Sequence, residues 1–394
     1  MTGFTSACHQ KDMDTAPNRQ ALQDDTVKIV PAANRTSLYF PILDGKTIAL
    51  VANPGSRVNG VHLLDTLLSA GFDVDRVLAP EHGFRGKAEA GEHVKSGVDT
   101  KTGVQVISLY GRNRKPKTED LQDVDLVIFD IQDVGVRFYT YISTMHYVME
   151  KCAEMGIEFL VLDRPNPNGF YVDGPVLDKK YQSFVGMHEI PLVHGLTPGE
   201  LAGMINGEGW LQDQIKVDLE VIPVENYTHD RYYELSVAPS PNLPNMKSIY
   251  LYPFLGLFEG TPVSIGRGTE MPFQVIGHPE FDSTNISFTP HSIPGASMHP
   301  KHKNIQCHGW DLRDTALDLR NQKKIHLTWL IQAYNELDQG EQFFKSFFQK
   351  LSGTENLKRQ IIEGKTEKQI RDSWQEELDE FKKMRKKYLL YPDF

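Results

Sequence analysis

The sequence has 394 residues, of which 42 are basic and 52 acidic, so its formal net charge is −10. Hydrophobic residues make up 40% and charged residues 24% of the chain, proportions that argue against wholesale disorder and against collagen-like or coiled-coil structure. The acidic balance disfavours a general nucleic-acid binder, because neutralising phosphates requires a basic surface. Cys8, Cys152 and Cys307 are too widely spaced to indicate a disulfide framework or a zinc site.

Residues 1–35 are polar and lack a clear hydrophobic pattern, so we expect a disordered or signal-remnant segment outside the folded domains. Within it, Thr5-Ser6-Ala7-Cys8 resembles the end of a bacterial lipoprotein cleavage box, although the apolar signal core that should precede it is missing. A shortened start and a chance cysteine in an unstructured tail explain this equally well. The box favours a periplasmic or membrane-anchored lipoprotein, with a cytoplasmic protein as the alternative.

From residue 36 onward, five short apolar runs alternate with longer mixed segments, a rhythm typical of α/β proteins. Each run is almost continuously apolar, as expected of parallel strands covered by helices on both faces. The predicted strands are 47–52, 74–79, 104–109, 126–131 and 159–162, and helices are predicted at 60–70 and 142–155. Residues 36–185 are therefore predicted to form a doubly wound parallel sheet.

The pattern changes after residue 185, and residues 186–394 are predicted to form a second, smaller α/β domain with a helical C-terminus. Thr197-Pro198-Gly199-Glu200 has the threonine cap, proline and glutamate that typically begin a helix. A strand is expected at 217–223, and the Pro-, Gly- and Ser-rich residues 236–310 favour long loops with little regular structure. Beyond residue 325 the chain is predicted to be largely helical, with a solvated Glu- and Lys-rich face at 366–390.

Polar side chains follow the predicted strands, at the edge where open parallel sheets bind ligands. They include Asn53 after the first strand, Glu81, His82 and Arg85 after the second, Asp130, Arg137 and Tyr139 after the fourth, and Asp163, Arg164 and Asn166 after the fifth. Because the carboxyl ends of parallel strands meet at one edge, these side chains are expected to lie near one another. The sequence therefore predicts a site at this edge.

Signatures of cofactors and metals are missing from these turns. The first turn lacks the Gly-x-Gly-x-x-Gly that dinucleotides require, no nucleotide P-loop is present, and no Gly-x-Ser-x-Gly elbow follows a strand. Glu81, His82, Glu92, His93 and Asp163 are of metal-ligand type, but their spacing matches no standard metal motif. We therefore expect neither a cofactor nor a metal.

Carboxylate chemistry remains, with Glu81 as its first candidate. Glu81 follows a strand among apolar residues, and such burial disfavours the ionised form, leaving a carboxyl that can donate a proton near neutral pH. Glycoside cleavage needs an acid of this kind on the leaving oxygen and a second group that stabilises or attacks the anomeric carbon. The candidates for the second group are Glu92, Asp130, Asp163 and Glu259.

Longer motifs resemble one protein family. They are PEHGFRG (80–86), DIQDVGVRFYTYI (130–142), LDRPNPNG (162–169), SFVG (183–186), HGLTPGELA (194–202), PSPNLP (239–244) and EGTPVSIGRGTEMPF (259–273). In this order, and over about residues 36–394, they are similar to the YbbC/NamZ family of bacterial exo-β-N-acetylmuramidases.

The resemblance implies a glycoside hydrolase that removes N-acetylmuramic acid from the non-reducing ends of peptidoglycan fragments during cell-wall turnover and recycling. It also implies a Rossmann-like domain followed by an α/β domain, with the active site in the cleft between them. The catalytic glutamate of the family lies in its Pro-Glu-His-Gly motif, which corresponds to Glu81 here.

N-acetylmuramic acid carries a lactyl carboxylate, an acetamido group and hydroxyls, and each needs a different partner. A guanidinium binds a carboxylate bidentately, so one of four arginines is expected to bind the lactyl group: Arg85, Arg137, Arg164 or Arg267. The further substrate-binding candidates are Asn53, Tyr139, Asn166, His194, Asn242 and Glu259. The predicted catalytic set is Glu81, His82, Asp130 and Asp163.

Two other functions stay open at this point, a noncatalytic muropeptide-binding protein that uses the same edge and a metal-dependent hydrolase. The expected partners are peptidoglycan-derived muropeptides and muramyl sugars, and not nucleic acid. The second catalytic residue and the stereochemical course are likewise open. Pro262 stands where relatives commonly have asparagine, which puts a substrate contact from that position in doubt.

Overall fold

The computed structural model describes residues 27–81, 83–85, 96–111, 113–282 and 285–394. The lipoprotein-like box around Cys8 and the candidates His82, Glu92 and His93 lie outside the described residues. In the part of the chain that is described, no helix combines the length and the apolar character needed to cross a membrane.

The strands of the described residues are β1 (Thr47–Ala52), β2 (Arg57–Val58), β3 (Val61–His62), β4 (Asp73–Ala79), β5 (Gly97–Val98), β6 (Gln105–Ser108), β7 (Leu126–Asp130), β8 (Glu158–Leu162), β9 (Asp173–Val176), β10 (Pro191–Val193), β11 (Leu219–Ile222), β12 (Val275–His278), β13 (Ile286–Phe288) and β14 (Cys307–Asp311). The α-helices are α1 (Thr36–Leu43), α2 (Leu63–Ser69), α3 (Tyr141–Met155), α4 (Pro198–Gly207), α5 (Met246–Leu255), α6 (Ala316–Asn321), α7 (Thr328–Leu337), α8 (Ser346–Ser352), α9 (Asn356–Ile362), α10 (Glu367–Asp372) and α11 (Gln375–Arg385).

A seven-stranded sheet in the order β11-β8-β7-β1-β4-β6-β5 forms the centre of the described structure. All neighbouring pairs are parallel except β5 and β6, which pair antiparallel at one edge. From β1 the chain adds β4 and β6 on one side, and then β7, β8 and β11 on the other. The predicted α/β class with a doubly wound parallel sheet is therefore confirmed.

The five predicted strands agree with the observed ones to within one residue at each end. They were recognisable because helices and loops cover both faces of the sheet, so most residues of these strands are apolar. The strand expected at 217–223 is β11, which joins the central sheet beside β8, so this sheet extends beyond residue 185. The helix expected after Thr197 is α4, and its capping box is present.

The prediction of little regular structure in residues 236–310 is wrong. This stretch contains α5, a 3-10 helix at Gly256–Gly260, and an antiparallel sheet in the order β12-β14-β13. Gly277 and Gly309 face each other in that sheet, where a Cβ on Gly309 would lie 1.8 Å from a backbone oxygen. Glycine weakens the sequence signal for a strand but lets two backbones approach closely.

Two hydrophobic cores lie on opposite faces of the central sheet. Along β1, Ile48 and Leu50 belong to the core shared with α1 and α2, and Ala49 and Val51 to the core shared with α3 and α4. The second core continues into the C-terminal helices, where Phe348 is fully buried. This continuous packing brings the C-terminal half of the chain against the carboxyl edge of the sheet.

Candidate active site

A cavity of about 310 Å³ lies between the turns at the carboxyl edge of the sheet and the C-terminal half of the chain. Its lining residues from the first half are Glu81, Tyr110, Arg114, Phe138, Tyr139, Thr140, Tyr141, Phe184 and Val185. Those from the second half are Ser240, Asn242, Leu243, Tyr252, Glu259, Arg267, Phe273 and Phe347. Both halves therefore contribute walls, as the cleft implied by the family resemblance requires.

Glu81 faces this cavity from the turn that follows β4. Thr140, the residue before the first turn of α3, donates a hydrogen bond from its hydroxyl to Oε2 of Glu81 at 3.1 Å. The Tyr141 hydroxyl donates to the backbone carbonyl of Glu81 at 3.3 Å. The side chain is partly exposed rather than fully buried, so the expected burial is not observed.

Three tyrosine rings form an edge-to-face wall beside Glu81. The ring centroids of Tyr139 and Tyr141 are 4.9 Å apart, and those of Tyr139 and Tyr252 are 5.8 Å apart. Burial raises the pKa of all three hydroxyls, so they remain protonated hydrogen-bond donors at neutral pH. Tyr139 donates to the carbonyl of Pro239 at 3.0 Å, which ties the wall to the second half of the chain.

Glu259 and Arg267, from the second half of the chain, form an ion pair that also lines the cavity. The Arg267 guanidinium also lies over the Phe273 ring, 5.2 Å from its centroid. The flanking Gly266 and Gly268 have φ angles of 76° and 81°, a region that favours glycine. The backbone turn that carries Arg267 therefore requires glycine on both sides. The pair places a second carboxylate and a cation in the same cavity as Glu81.

Lys301 holds the loop that carries Glu259. Its buried ammonium donates to four backbone carbonyls, at 2.8 Å (Phe258), 3.2 Å (Glu259), 2.5 Å (Thr261) and 3.3 Å (Val263). Burial lowers the pKa of Lys301 to about 8, so it is mostly charged at neutral pH. The carbonyl of Pro262 accepts from His302 at 2.8 Å, so the unusual proline sits in the same anchored loop.

Asn242 is buried at the cavity wall, and its Nδ2 donates to the carbonyl of Ala296 at 2.9 Å. One amide hydrogen of Asn242 is thus used in a hydrogen bond to the loop that precedes β14. Of the predicted site residues, the cavity brings together Glu81, Tyr139, Asn242, Glu259 and Arg267. The remaining predicted residues that the structure describes lie outside it.

Three of the four arginines expected at the lactyl group are used elsewhere. Arg85 pairs with Asp65 and Asp99, at 3.0 and 2.7 Å. Arg164 forms a bidentate pair with Asp130, at 2.5 and 2.9 Å, and both side chains are buried. These positions correct the expectation for the two arginines and for Asp130, because these side chains cannot turn toward a ligand without breaking the ion pairs that hold them.

Arg137 is fully buried, and its guanidinium donates to four backbone carbonyls. The acceptors are Pro175 at 2.7 Å, Ile190 at 2.7 Å, Leu351 at 3.1 Å and Ser352 at 2.7 Å. These carbonyls come from both halves of the chain. The structure therefore places Arg137 as a clamp between the halves, away from the cavity.

Asp163 also lies outside the cavity. It accepts hydrogen bonds from Thr197 at 2.7 Å, from the backbone of Gly199 at 2.8 Å and from Tyr391 at 2.5 Å, and so holds the start of α4 and the C-terminal segment. Burial raises its pKa to about 6. This placement corrects the prediction of a catalytic role, because the carboxylate is enclosed by donors from its own chain.

The last three described candidates, Asn53, Asn166 and His194, are also buried and hold turns. Asn53 accepts from the backbone of Gly55 at 2.9 Å, and Asn166 donates to the carbonyl of Leu196 at 2.8 Å. His194 accepts from the backbone of Leu196 at 3.2 Å, and burial lowers its pKa to about 3. The catalytic candidate His82 lies outside the described residues.

Sequence reasoning missed several cavity residues, notably Arg114, Thr140, Tyr252 and Phe347. Thr140 lies inside a quoted motif, so its place next to Tyr139 was a usable signal. Arg114, Tyr252 and Phe347 lie outside the quoted motifs, and only the packing of distant segments brings them to the cavity. In the part of the chain that the structure describes, no group of three or more His, Cys, Asp or Glu side chains is arranged to hold a metal ion.

Comparisons with known proteins cover both halves of the chain. A family model described as "Exo-beta-N-acetylmuramidase NamZ, N-terminal" matches residues 48–247, and one described as "Exo-beta-N-acetylmuramidase NamZ, C-terminal" matches residues 250–391. The peptidoglycan beta-N-acetylmuramidase NamZ of Bacillus subtilis (strain 168) is 41% identical over 371 residues, which cover 90% of this chain and 89% of that protein.

Two crystal structures of DUF1343 family proteins from Bacteroides fragilis NCTC 9343 are also similar. One is 48% identical with a TM-score of 0.88, over 93% of this chain and 100% of that chain. The other is 28% identical with a TM-score of 0.76, over 93% of this chain and 99% of that chain. All the residues that line the cavity fall within the ranges of the two family models.

Proposed function

This chain belongs to the NamZ family of exo-β-N-acetylmuramidases and is a glycosidase, and we propose that its cavity releases N-acetylmuramic acid from the non-reducing ends of peptidoglycan fragments with Glu81 as the general acid. The observation that carries the proposal is the pair of carboxylates, Glu81 and Glu259, that line one cavity from opposite halves of the chain. Two carboxyl groups around one glycosidic bond are what most glycoside hydrolases use.

Glu81 donates the proton to the leaving oxygen. Its Oε2 accepts the Thr140 hydroxyl at 3.1 Å, a contact that helps to hold the carboxyl group at the cavity wall. The tyrosine wall beside it offers aromatic surface to the sugar. The proposal is supported by residues 139–141, which line the cavity and contact Glu81 through Thr140 and Tyr141.

Glu259 is the second carboxylate, and Arg267 compensates its charge. In this position it stabilises the positive charge that develops at the anomeric carbon or activates the attacking water. The anomeric form of the first product distinguishes a retaining from an inverting course.

The direct test compares wild-type protein with Glu81→Gln on a natural muramyl disaccharide, because a sugar leaving group, unlike p-nitrophenolate, needs protonation by an acid. The exchange keeps size and hydrogen bonding but removes the acid, so kcat/KM on natural muramyl disaccharides should fall about 100- to 10,000-fold. Glu119→Gln is the matched control, because Glu119 is exposed and lies outside the cavity. Near-normal turnover by Glu81→Gln with an unchanged circular dichroism spectrum would remove Glu81 from the mechanism.

The same assay separates the competing functions. Binding of a muramyl disaccharide without release of sugar by wild-type protein would indicate a noncatalytic muropeptide-binding protein. Full activity in the presence of a chelator would dismiss a metal-dependent hydrolase.

We extend the proposal to the compartment, with the protein acting in cell-wall recycling as a periplasmic or lipid-anchored enzyme. The support is Thr5-Ser6-Ala7-Cys8, which resembles a lipoprotein cleavage box. Mass spectrometry of the N-terminus from native membranes tests it, because lipidation would be found on Cys8. An intact Met1 with an unmodified Cys8 in the cytosol would overturn it.

A further inference from the structure

Two arginines among the described residues line the active cavity, and their charges are compensated differently. Arg267 is ion-paired with Glu259. Arg114 is exposed, and within the described part of the chain no carboxylate pairs with it. Arg114 therefore contributes an uncompensated positive charge to the wall of the cavity.

The guanidinium of Arg114 is nevertheless held in place. Its Cζ lies 4.3 Å from the centroid of the Phe184 ring, and that ring stacks on Tyr147 of α3 at 6.2 Å with an interplanar angle of 10°. Phe184 sits in a tight turn closed by mutual backbone hydrogen bonds between Ser183 and Gly186, at 2.9 and 3.0 Å. The stacked rings of Phe184 and Tyr147 thus hold the Arg114 guanidinium on one of its faces.

The backbone next to Arg114 is tied to the same helix. Lys115 donates to Glu150 and to Glu154 of α3, at 2.5 Å in each case. Stacking over a ring uses the face of a guanidinium and leaves the N–H groups at its edge available. Arg114 is therefore a cation pre-organised for a planar, bidentate anion, and no carboxylate among the described residues pairs with it.

From this arrangement we propose that Arg114 binds the lactyl carboxylate of N-acetylmuramic acid and so distinguishes this sugar from N-acetylglucosamine, an inference that rests on the proposed function. A carboxylate is the planar anion that a guanidinium binds with two parallel hydrogen bonds. Arg267 is less suited, because binding a second carboxylate there would set it against Glu259. The two sugars differ at the lactyl ether, so a residue that binds its carboxylate acts directly on substrate choice.

The experiment measures KM and kcat on two substrates, a p-nitrophenyl β-N-acetylmuraminide and the same compound with its lactyl carboxylate converted to a carboxamide. Arg114→Gln should raise KM for the acid on the order of 10- to 100-fold, as expected when a hydrogen bond to a charged group is lost. kcat should change little, because the interaction is equally strong in the ground state and the transition state. For wild-type protein, KM for the carboxamide should exceed KM for the acid by a similar factor. For Arg114→Gln, the two KM values should be equal.

Two further variants test whether the effect depends on the guanidinium group of Arg114 and on its position in the cavity. Arg114→Lys keeps the charge without the planar fork and should recover part of the preference for the acid. Arg359→Gln, an exposed substitution on α9 outside the cavity, should behave as wild type.

The outcomes separate this inference from the function on which it rests. If wild-type protein releases no sugar, the proposed function falls. If wild-type protein is active and Arg114→Gln keeps the full preference for acid over carboxamide, Arg114 does not bind the lactyl group. Equal losses on both substrates would assign Arg114 a structural role and also overturn the inference.

Discussion

Replacement of Arg137 by methionine should destabilise the protein strongly, because the guanidinium is the donor for four buried carbonyls. They belong to Pro175 and Ile190 on one side and to Leu351 and Ser352 on the other, all within 3.1 Å of the guanidinium. Burial lowers the pKa of Arg137 to about 9, so the clamp is charged at neutral pH. The change therefore removes a charged donor that joins β9 and the residue before β10 to the end of α8.

The expected loss is about 3 to 5 kcal/mol in the free energy of unfolding. Each carbonyl left without a partner costs about 1 to 3 kcal/mol, and removing the buried cation returns part of its desolvation cost. Methionine fills most of the space but donates no hydrogen bond. Arg137→Lys is the matched control, because it keeps the charge but offers fewer donors, and its loss should be intermediate.

Urea unfolding at pH 7, followed by circular dichroism and by the fluorescence of the four tryptophans, measures this difference. The two probes should shift together, since the clamp joins both halves of the chain. A loss below about 1 kcal/mol for Arg137→Met would refute the reasoning. It would mean that the four hydrogen bonds only offset the cost of burying the guanidinium.

Two further predictions concern the buried groups Lys301 and Asp133. Lys301→Met should lower kcat/KM about 10-fold or more by releasing the four carbonyls that fix the Glu259 loop. Exposed Lys303→Met is its control, and equal activities in the muraminide assay would contradict the role. Burial raises the pKa of Asp133 to about 7, so its stabilising contribution is full below its ordinary pKa and is lost as pH rises through 7. Asp133→Asn should therefore gain stability relative to wild type between pH 5 and pH 8 in urea unfolding, and a difference that does not vary with pH would contradict the buried titration.

The elements of the central sheet were predictable because they depend on local composition. Strands β1, β7 and β8 are buried over almost their whole length, and β4 and β6 are buried toward their C-terminal ends, so each contains a short apolar run. The start of α4 was predictable for a similar reason, since a capping box lies within four consecutive residues. Glu81 could be selected because a strand end and a motif coincide there.

Partners of charged side chains were not predictable in the same way. Arg85, Arg137 and Arg164 follow strands as Glu81 does, yet Arg85 and Arg164 pair with carboxylates and Arg137 binds carbonyls of distant segments. Glycines in the short strands β12 and β14 weakened the sequence pattern that identifies a strand. Arg114 lies outside every motif used to select site residues, so the sequence did not identify it as a cavity residue.

The sequence by itself determined the α/β class, the strand positions, the family and Glu81 as the candidate acid. Only the tertiary structure decided that Glu259 and Arg267 face Glu81, that Arg114 is an uncompensated cation among the described residues, and that Asp130 and Asp163 belong to the framework. The physical reason is distance along the chain. Burial periodicity and caps act within a few residues, whereas ion pairs and cavity walls join segments that only the topology brings together.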